Sequence, residues 1–159
     1  MANTSAPRIE IKVLDRRLYD WGLPRYQSAM AAAIDLYACI DARMSLAAGS
    51  AAHLIASGIA VHLNDPHLAA IVVPRSGLGH KTGLVMGNLM GVIDADYTGP
   101  VMISAWNRNA HGTPPIVIEP GERIAQMLFV PIVRPSFEVV DAFTKRSDRG
   151  DGGFGSTGT

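Results

Sequence analysis

The chain has 159 residues, enough for one domain with a substantial core and too few for two. Fourteen basic residues balance fourteen acidic ones. With no net field, bulk attraction to nucleic acid or to an anionic membrane is excluded, so any bound anion must be held by local geometry.

Met1 to Arg8 lacks the charged start and long apolar run of a secretory signal, and no segment approaches bilayer length. A cytoplasmic protein with neither membrane nor nucleic-acid partner is the expectation. Residues 1–7 are small and polar and read as loose. Ile9, Ile11 and Val13 then alternate with charged residues, as in an amphipathic strand. Leu18 to Tyr26 matches no clear pattern. Ala29 to Ile40 is Ala-rich, but alternation over its second half predicts a strand carrying Asp35. The single Cys39 has no disulfide partner and no zinc-spaced neighbour, so it reads as a small buried hydrophobe.

From Leu46 onward, short apolar runs recur between Gly, Pro, Asn and Asp. They are Ala52 to Ala56, Ile59 to Leu63, Leu68 to Val73, Gly83 to Val92, Val101 to Asn107, Ile116 to Ile118, Arg123 to Val133 and Phe137 to Val140. Many short strands with frequent turns predict an all-β sandwich or barrel. Ten prolines and sixteen glycines suit the turns that such a fold needs.

Four stretches carry candidate chemistry. Pro74 to Gly79 sits at a strand end, where Arg75, Ser76 and Gly77 offer a planar fork, a hydroxyl and an unobstructed backbone. They form either a phosphate cradle or an ordinary polar turn. It is not a Walker A loop, since His80 precedes Lys81-Thr82 where Gly belongs, and Pro74 rules out a nucleophile elbow. Gly87 to Val101 reads as a hairpin with Asp94 and Asp96 at its mouth and Tyr97 beside them. Asp also collects in turns for backbone reasons, so this stretch alone is ambiguous. Gly121 to Phe129 reads as turn plus strand with Ile124, Gln126 and Leu128 on one face; Gln126 needs a partner there, either protein or ligand. Thr144 to Thr159 has almost nothing to bury, so it is either a frayed tail or a segment that orders over a ligand through Arg149, Phe154 and its hydroxyls. Arg149-Gly150-Asp151 matches an adhesion tripeptide, a reading that a cytosolic chain disfavours. The five histidines lack metal spacing and receive no role.

Taken in order, five stretches resemble the five motifs of the trimeric dUTPase family: Ala32 to Ala38, Pro74 to Gly79, Gly91 to Val101, Gly121 to Phe129 and Arg149 to Gly158. One departure is Ala33, where the family usually carries Gly. The resemblance implies a jelly-roll β domain over residues 1–143, a flexible lid over 144–159, and a homotrimer with sites at its subunit boundaries. It implies hydrolysis of dUTP to dUMP and pyrophosphate, which keeps uracil out of DNA and supplies dUMP for thymidylate synthesis. Asp94 matches the base that activates the water attacking the α-phosphorus, and Asp96 a structural acid. Arg75, Ser76, Gly77 and Gln126 match triphosphate ligands. Asp35 matches an acid that holds the water shell of a phosphate-bound Mg2+. Asn88 and the hairpin main chain match the uracil edge, Val92, Ile93 and Met102 the nucleoside lining, and Tyr97 the residue that excludes a 2′-hydroxyl. Phe154 matches the aromatic that stacks on the base, and Arg149, Gly155, Ser156 and Thr157 the tail's phosphate contacts. A dCTP-deaminase-like enzyme and a non-catalytic nucleotide-binding jelly roll are the alternatives.

Overall fold

The computed structural model describes residues 6–145. The expectations that fall on residues 1–5 and 146–159, including every assignment to Arg149, Phe154, Gly155, Ser156 and Thr157 and most of the lid, lie outside the described residues.

Ten strands and two short helices are present among the described residues: β1 Glu10–Val13, α1 Leu18–Trp21, β2 Ile34–Tyr37, β3 Met44–Leu46, β4 His53–His62, β5 Leu68–Pro74, α2 Ser76–Lys81, β6 Leu84–Met86, β7 Gly91–Ile93, β8 Pro100–Asn107, β9 Ile116–Ile118 and β10 Arg123–Pro131. They form two four-stranded antiparallel sheets, ordered β1-β4-β8-β6 and β2-β10-β5-β7, with a small β3-β9 pair alongside. This is the all-β sandwich expected from the recurring short strands, in the jelly-roll-like form that the resemblance implies.

The inner faces meet in one core. Leu36, Ala70, Val72, Ala125 and Met127 come from one sheet, and Ile55, Ile59, Val61, Val101, Ile103 and Met86 from the other. Burial of a side chain of this kind contributes about 1.5–3 kcal/mol, so the interleaved aliphatics supply the main driving force. Two buried polar groups are satisfied within it: Ser57 Oγ donates to the Val101 carbonyl (2.7 Å), and Asn107 Nδ2 to that of Leu46 (2.9 Å).

Several elements differ from expectation. The runs Ala52 to Ala56 and Ile59 to Leu63 are one strand, β4, interrupted by a bulge whose register shifts between Ala56 and Ala60. Gly58 takes φ +76° there, and its carbonyl accepts from the amides of Leu14 and Asp15. Gly83 to Val92 splits into β6 and β7, which join different sheets, because Leu89 turns the chain at φ +63°. Phe137 to Val140 is not a strand. Phe137 and Val139 are 92% and 99% exposed, and no strand among the described residues pairs with them.

Cys39 is partly buried beside Asp15 and Gly58. Burial, aided by the Asp15 charge, pushes its thiol up to about 11, which keeps it protonated and inert at neutral pH.

A Cβ at position 58 would lie 2.5 Å from Cys39 Sγ and 2.9 Å from Leu18 Cδ1, on backbone that disfavours L side chains. Gly58→Ala is expected to destabilise the protein by about 3 kcal/mol, read as a lowered urea midpoint with unchanged slope.

Candidate active site

The sheet β2-β10-β5-β7 carries the candidate residues on its outer face. Pairing registers align Asp35 with Gln126 and Gln126 with Val73, so one row crosses three strands. A parallel row aligns Leu128, Ile71 and Val92. Side chains on one face repeat every second residue, so both rows face outward while Ile34, Met127 and Val72 face the core.

At the polar end of this face, a cavity of about 620 Å³ is lined by Asp35, Arg75, Ser76, Gly77, Lys81 and Gln126, among others. Asp35 is 8% exposed. Its Oδ1 lies 2.9 Å from Arg75 Nε, and its Oδ2 accepts from Arg123 Nη1 at 3.0 Å. A buried carboxylate is costly unless paired, and two guanidiniums pair this one. Arg75 Nη1 also donates to the Arg123 carbonyl (3.0 Å). With Nε and Nη1 engaged, Nη2 is the end left for a ligand's oxygens. Gln126 donates to the Pro74 carbonyl (3.0 Å), so the polar group on that apolar face has a protein partner.

Ser76 opens the six-residue α2, entered from extended backbone at Arg75. One reading of this end is corrected. Ile124 does not share the face of Gln126 and Leu128. The β10 register shifts between Arg123 and Ala125, so Ile124 and Ala125 are buried side by side. Lys81 was passed over in the sequence because it belongs to no phosphate-loop pattern. Only the helix made by residues 76–81 brings it to the same cavity as Ser76.

The acidic turn lies at a second cavity, of about 280 Å³, lined by Asn88, Gly91, Val92, Ile93, Asp94, Tyr97, Met102 and neighbours. The stretch from Gly87 to Val101 is not a hydrogen-bonded hairpin. Its strand β7 pairs with β5, and β8 pairs with β4 and β6, so the turn carries the chain from one sheet to the other. The amide of Tyr97 donates to the Asp94 carbonyl (3.2 Å), closing the turn, and the Tyr97 hydroxyl donates to the Pro100 carbonyl (3.0 Å). The ring thereby folds over Gly99, where a Cβ would lie 2.5 Å from the Tyr97 hydroxyl. Asp94 is exposed and stands between this cleft and a third cavity, which it shares with Asp96, Asp65 and His62.

Asp35, Arg75, Ser76, Gly77 and Gln126 are thus brought together, as are Asn88, Val92, Ile93, Asp94, Tyr97 and Met102. The two sets line separate cavities of the chain. Ala33 lines the first cavity without positive φ, so its backbone does not demand the glycine expected there.

A two-sheet antiparallel sandwich with a polar cavity holding Arg75 and Lys81 at one end of a sheet, and a turn-capped cleft at its edge, is a jelly-roll protein with two candidate ligand surfaces. Comparison with known proteins makes this specific. Residues 19–158 match the family model described as dUTPase. The chain is 53% identical over 152 residues to the deoxyuridine 5'-triphosphate nucleotidohydrolase of Sodalis glossinidius, covering 95% of this chain and 97% of that one. It is 55% identical over 151 residues to that of Nitrosospira multiformis, with the same coverage. Among solved structures, a mutant dUTPase of Staphylococcus bacteriophage 80alpha, determined with dUpNHpp, superposes with a TM-score of 0.82 at 26% identity, over 97% of this chain and 100% of that one. The chain belongs to the dUTPase family.

If the Tyr97 ring is held in place by the space above Gly99, Gly99→Ala must displace it. Tyr97 fluorescence quenching by acrylamide, read against Tyr97→Phe to isolate its signal, is expected to rise in the Gly99→Ala protein while the far-UV spectrum stays unchanged.

Proposed function

We propose that this chain hydrolyses dUTP to dUMP and pyrophosphate, with Asp94 as the base for a water attacking the α-phosphorus. The observation that carries the reading is the cleft capped by the Asp94–Tyr97 turn in a member of the dUTPase family. An exposed carboxylate at a rigid turn can accept a proton from a water held beside the ligand, an effect of about 10²- to 10⁴-fold.

Recognition follows from the linings. Asn88 and the backbone of Gly91 to Ile93 meet the uracil edge in this reading, in a slot that rejects a thymine methyl. Cytosine would leave buried polar groups unpaired, a mismatch that discriminates strongly. Val92, Ile93 and Met102 pack on the nucleoside. Tyr97, tethered to Pro100, leaves no space for a 2′-hydroxyl. Arg75, Ser76, Gly77 and Gln126 face the phosphates at the other cavity, with Lys81 adding charge.

The residues fit a magnesium ion carried in by the phosphates better than one held by the protein. Asp35 is the one carboxylate lining that cavity, and both its oxygens already face guanidiniums. It would hold such an ion through a bound water; the ion, once bound, would neutralise phosphate charge.

The separation of base and phosphate cavities in one protomer supports a homotrimer whose subunits complete one another's sites. The outer face between them is apolar and part-exposed at Ile71, Val73 and Leu128, and exposed at Val92, a surface suited to a second copy. Residues 144–159, with Arg149, Phe154, Gly155, Ser156 and Thr157, act in this reading as a lid that excludes bulk water, and the enzyme works in the cytoplasm.

With Mg2+, pyrophosphate release from dUTP is expected, with dTTP, dCTP and UTP turned over at least about 100-fold less efficiently; equal turnover of all four would remove the specificity argument. Asp94→Asn is expected to lower kcat about 10³-fold while dUpNHpp affinity changes little; an active Asn variant would place the base elsewhere. Ending the chain before Thr144 should leave the subunit number by light scattering unchanged and sharply lower turnover.

A further inference from the structure

We propose that Arg123 is a positioning residue of the phosphate cavity, and that the β-bulge after it exists to turn its side chain onto Asp35. The inference rests on the reading of that cavity as the triphosphate site, and goes beyond it by adding a residue that does not line the cavity itself.

In a regular strand, Arg123 and Ala125 would share a face, and Arg123 would point at the core opposite Gln126. The bulge prevents this. Tyr37 pairs with Arg123 and Leu36 with Ala125, so Ile124 is the extra residue. Ile124 and Ala125 are 2% and 0% exposed, both inward. Arg123 therefore falls on the outer face with Gln126 and Asp35, and its Nη1 meets Asp35 Oδ2. One inserted residue re-aims a side chain beside a site, a recurrent use of bulges.

The consequence is electrostatic and geometric. Asp35 alone would neutralise Arg75; with Arg123 added, two guanidiniums share one carboxylate and the cluster keeps a net positive charge toward the cavity. Arg123 also fixes Arg75 twice over. Its side chain holds the carboxylate that Arg75 Nε faces, and its carbonyl accepts from Arg75 Nη1. Removing the Arg123 side chain leaves Asp35 paired to Arg75 alone, which draws the Arg75 fork toward Asp35 and away from phosphate oxygens. Binding should suffer more than chemistry.

The test uses full-length protein, dUTP kinetics and calorimetric binding of dUpNHpp. Arg123→Gln is expected to raise KM and weaken dUpNHpp about tenfold, with kcat changed less than about threefold. A merely structural role would not predict coupling: in an Asp35→Asn background, the same change is expected to cost less than about twofold, because its target is gone. Arg123→Lys keeps the charge but not the planar fork and should raise KM about two- to fivefold; it decides the matter should the Gln variant fail to fold. Wild-type KM and dUpNHpp affinity in the folded Arg123 variants, or penalties of Arg123→Gln and Asp35→Asn that multiply, would overturn the positioning role while leaving the proposed function standing. Absence of dUTP turnover by the wild-type chain would overturn both.

Discussion

The polar end of the site depends on one buried carboxylate. Taking a carboxylate out of water costs several kcal/mol even after relaxation, and the fold accepts this at Asp35 only because two guanidiniums meet it at 2.9 and 3.0 Å. That pairing ties together three segments far apart in sequence: β2, the end of β5 and the bulged start of β10. Antiparallel registry supplies the coarse alignment, placing Asp35, Gln126 and Val73 in one row. The bulge then brings Arg123, opposite Tyr37, to the same face, at the expense of one irregular ladder position. Arg75 is held by groups that are themselves held, which is how a long, flexible side chain becomes an oriented donor.

The base end is organised differently. Its residues occupy a crossing from one sheet to the other, so both flanks of the Asp94–Tyr97 turn are anchored in a four-stranded sheet. A hairpin pairs with itself and can sway as a unit; a crossing held at both ends cannot. Packing above Gly99 removes a further freedom by folding the Tyr97 ring back to the Pro100 carbonyl. Under the proposed function such anchoring matters, because discrimination by shape fails if the wall can yield.

Much of this was legible in the sequence. Alternating apolar runs and turn residues indicate most of the strands, and the resemblance of five stretches to the family's motifs points to the residues that line both cavities. What the sequence concealed follows from parity and pairing. Gly87 to Val101 looks like a hairpin because pattern reveals strands and turns but not which strand pairs with which. Ile124 is assigned to the Gln126 face by simple alternation, and a bulge breaks alternation without any compositional sign. Arg123 stays hidden for the same reason. Lys81 escapes because α2 is too short to show helical periodicity. Phe137 to Val140 alternates well enough for a strand, yet pairing needs a neighbour, and none of the described strands pairs with it.

The two acidic residues that matter most show how environment divides labour between identical side chains. Asp35 and Asp94 both sit in strand-and-turn segments lining cavities, and their chemistry is the same in isolation. Asp35 is largely buried, with each oxygen facing a guanidinium, so both its oxygens are already engaged by the protein. It is suited to hold and orient. Asp94 is exposed on a turn whose backbone is fixed by the Tyr97 amide, and no basic side chain forms an ion pair with it among the described residues. Its oxygens remain available to a water, so it is suited to exchange a proton. Burial and pairing thus occupy both oxygens of one carboxylate and leave those of the other open, and under the proposed function that division suits the first to hold a neighbour in place and the second to act as the base.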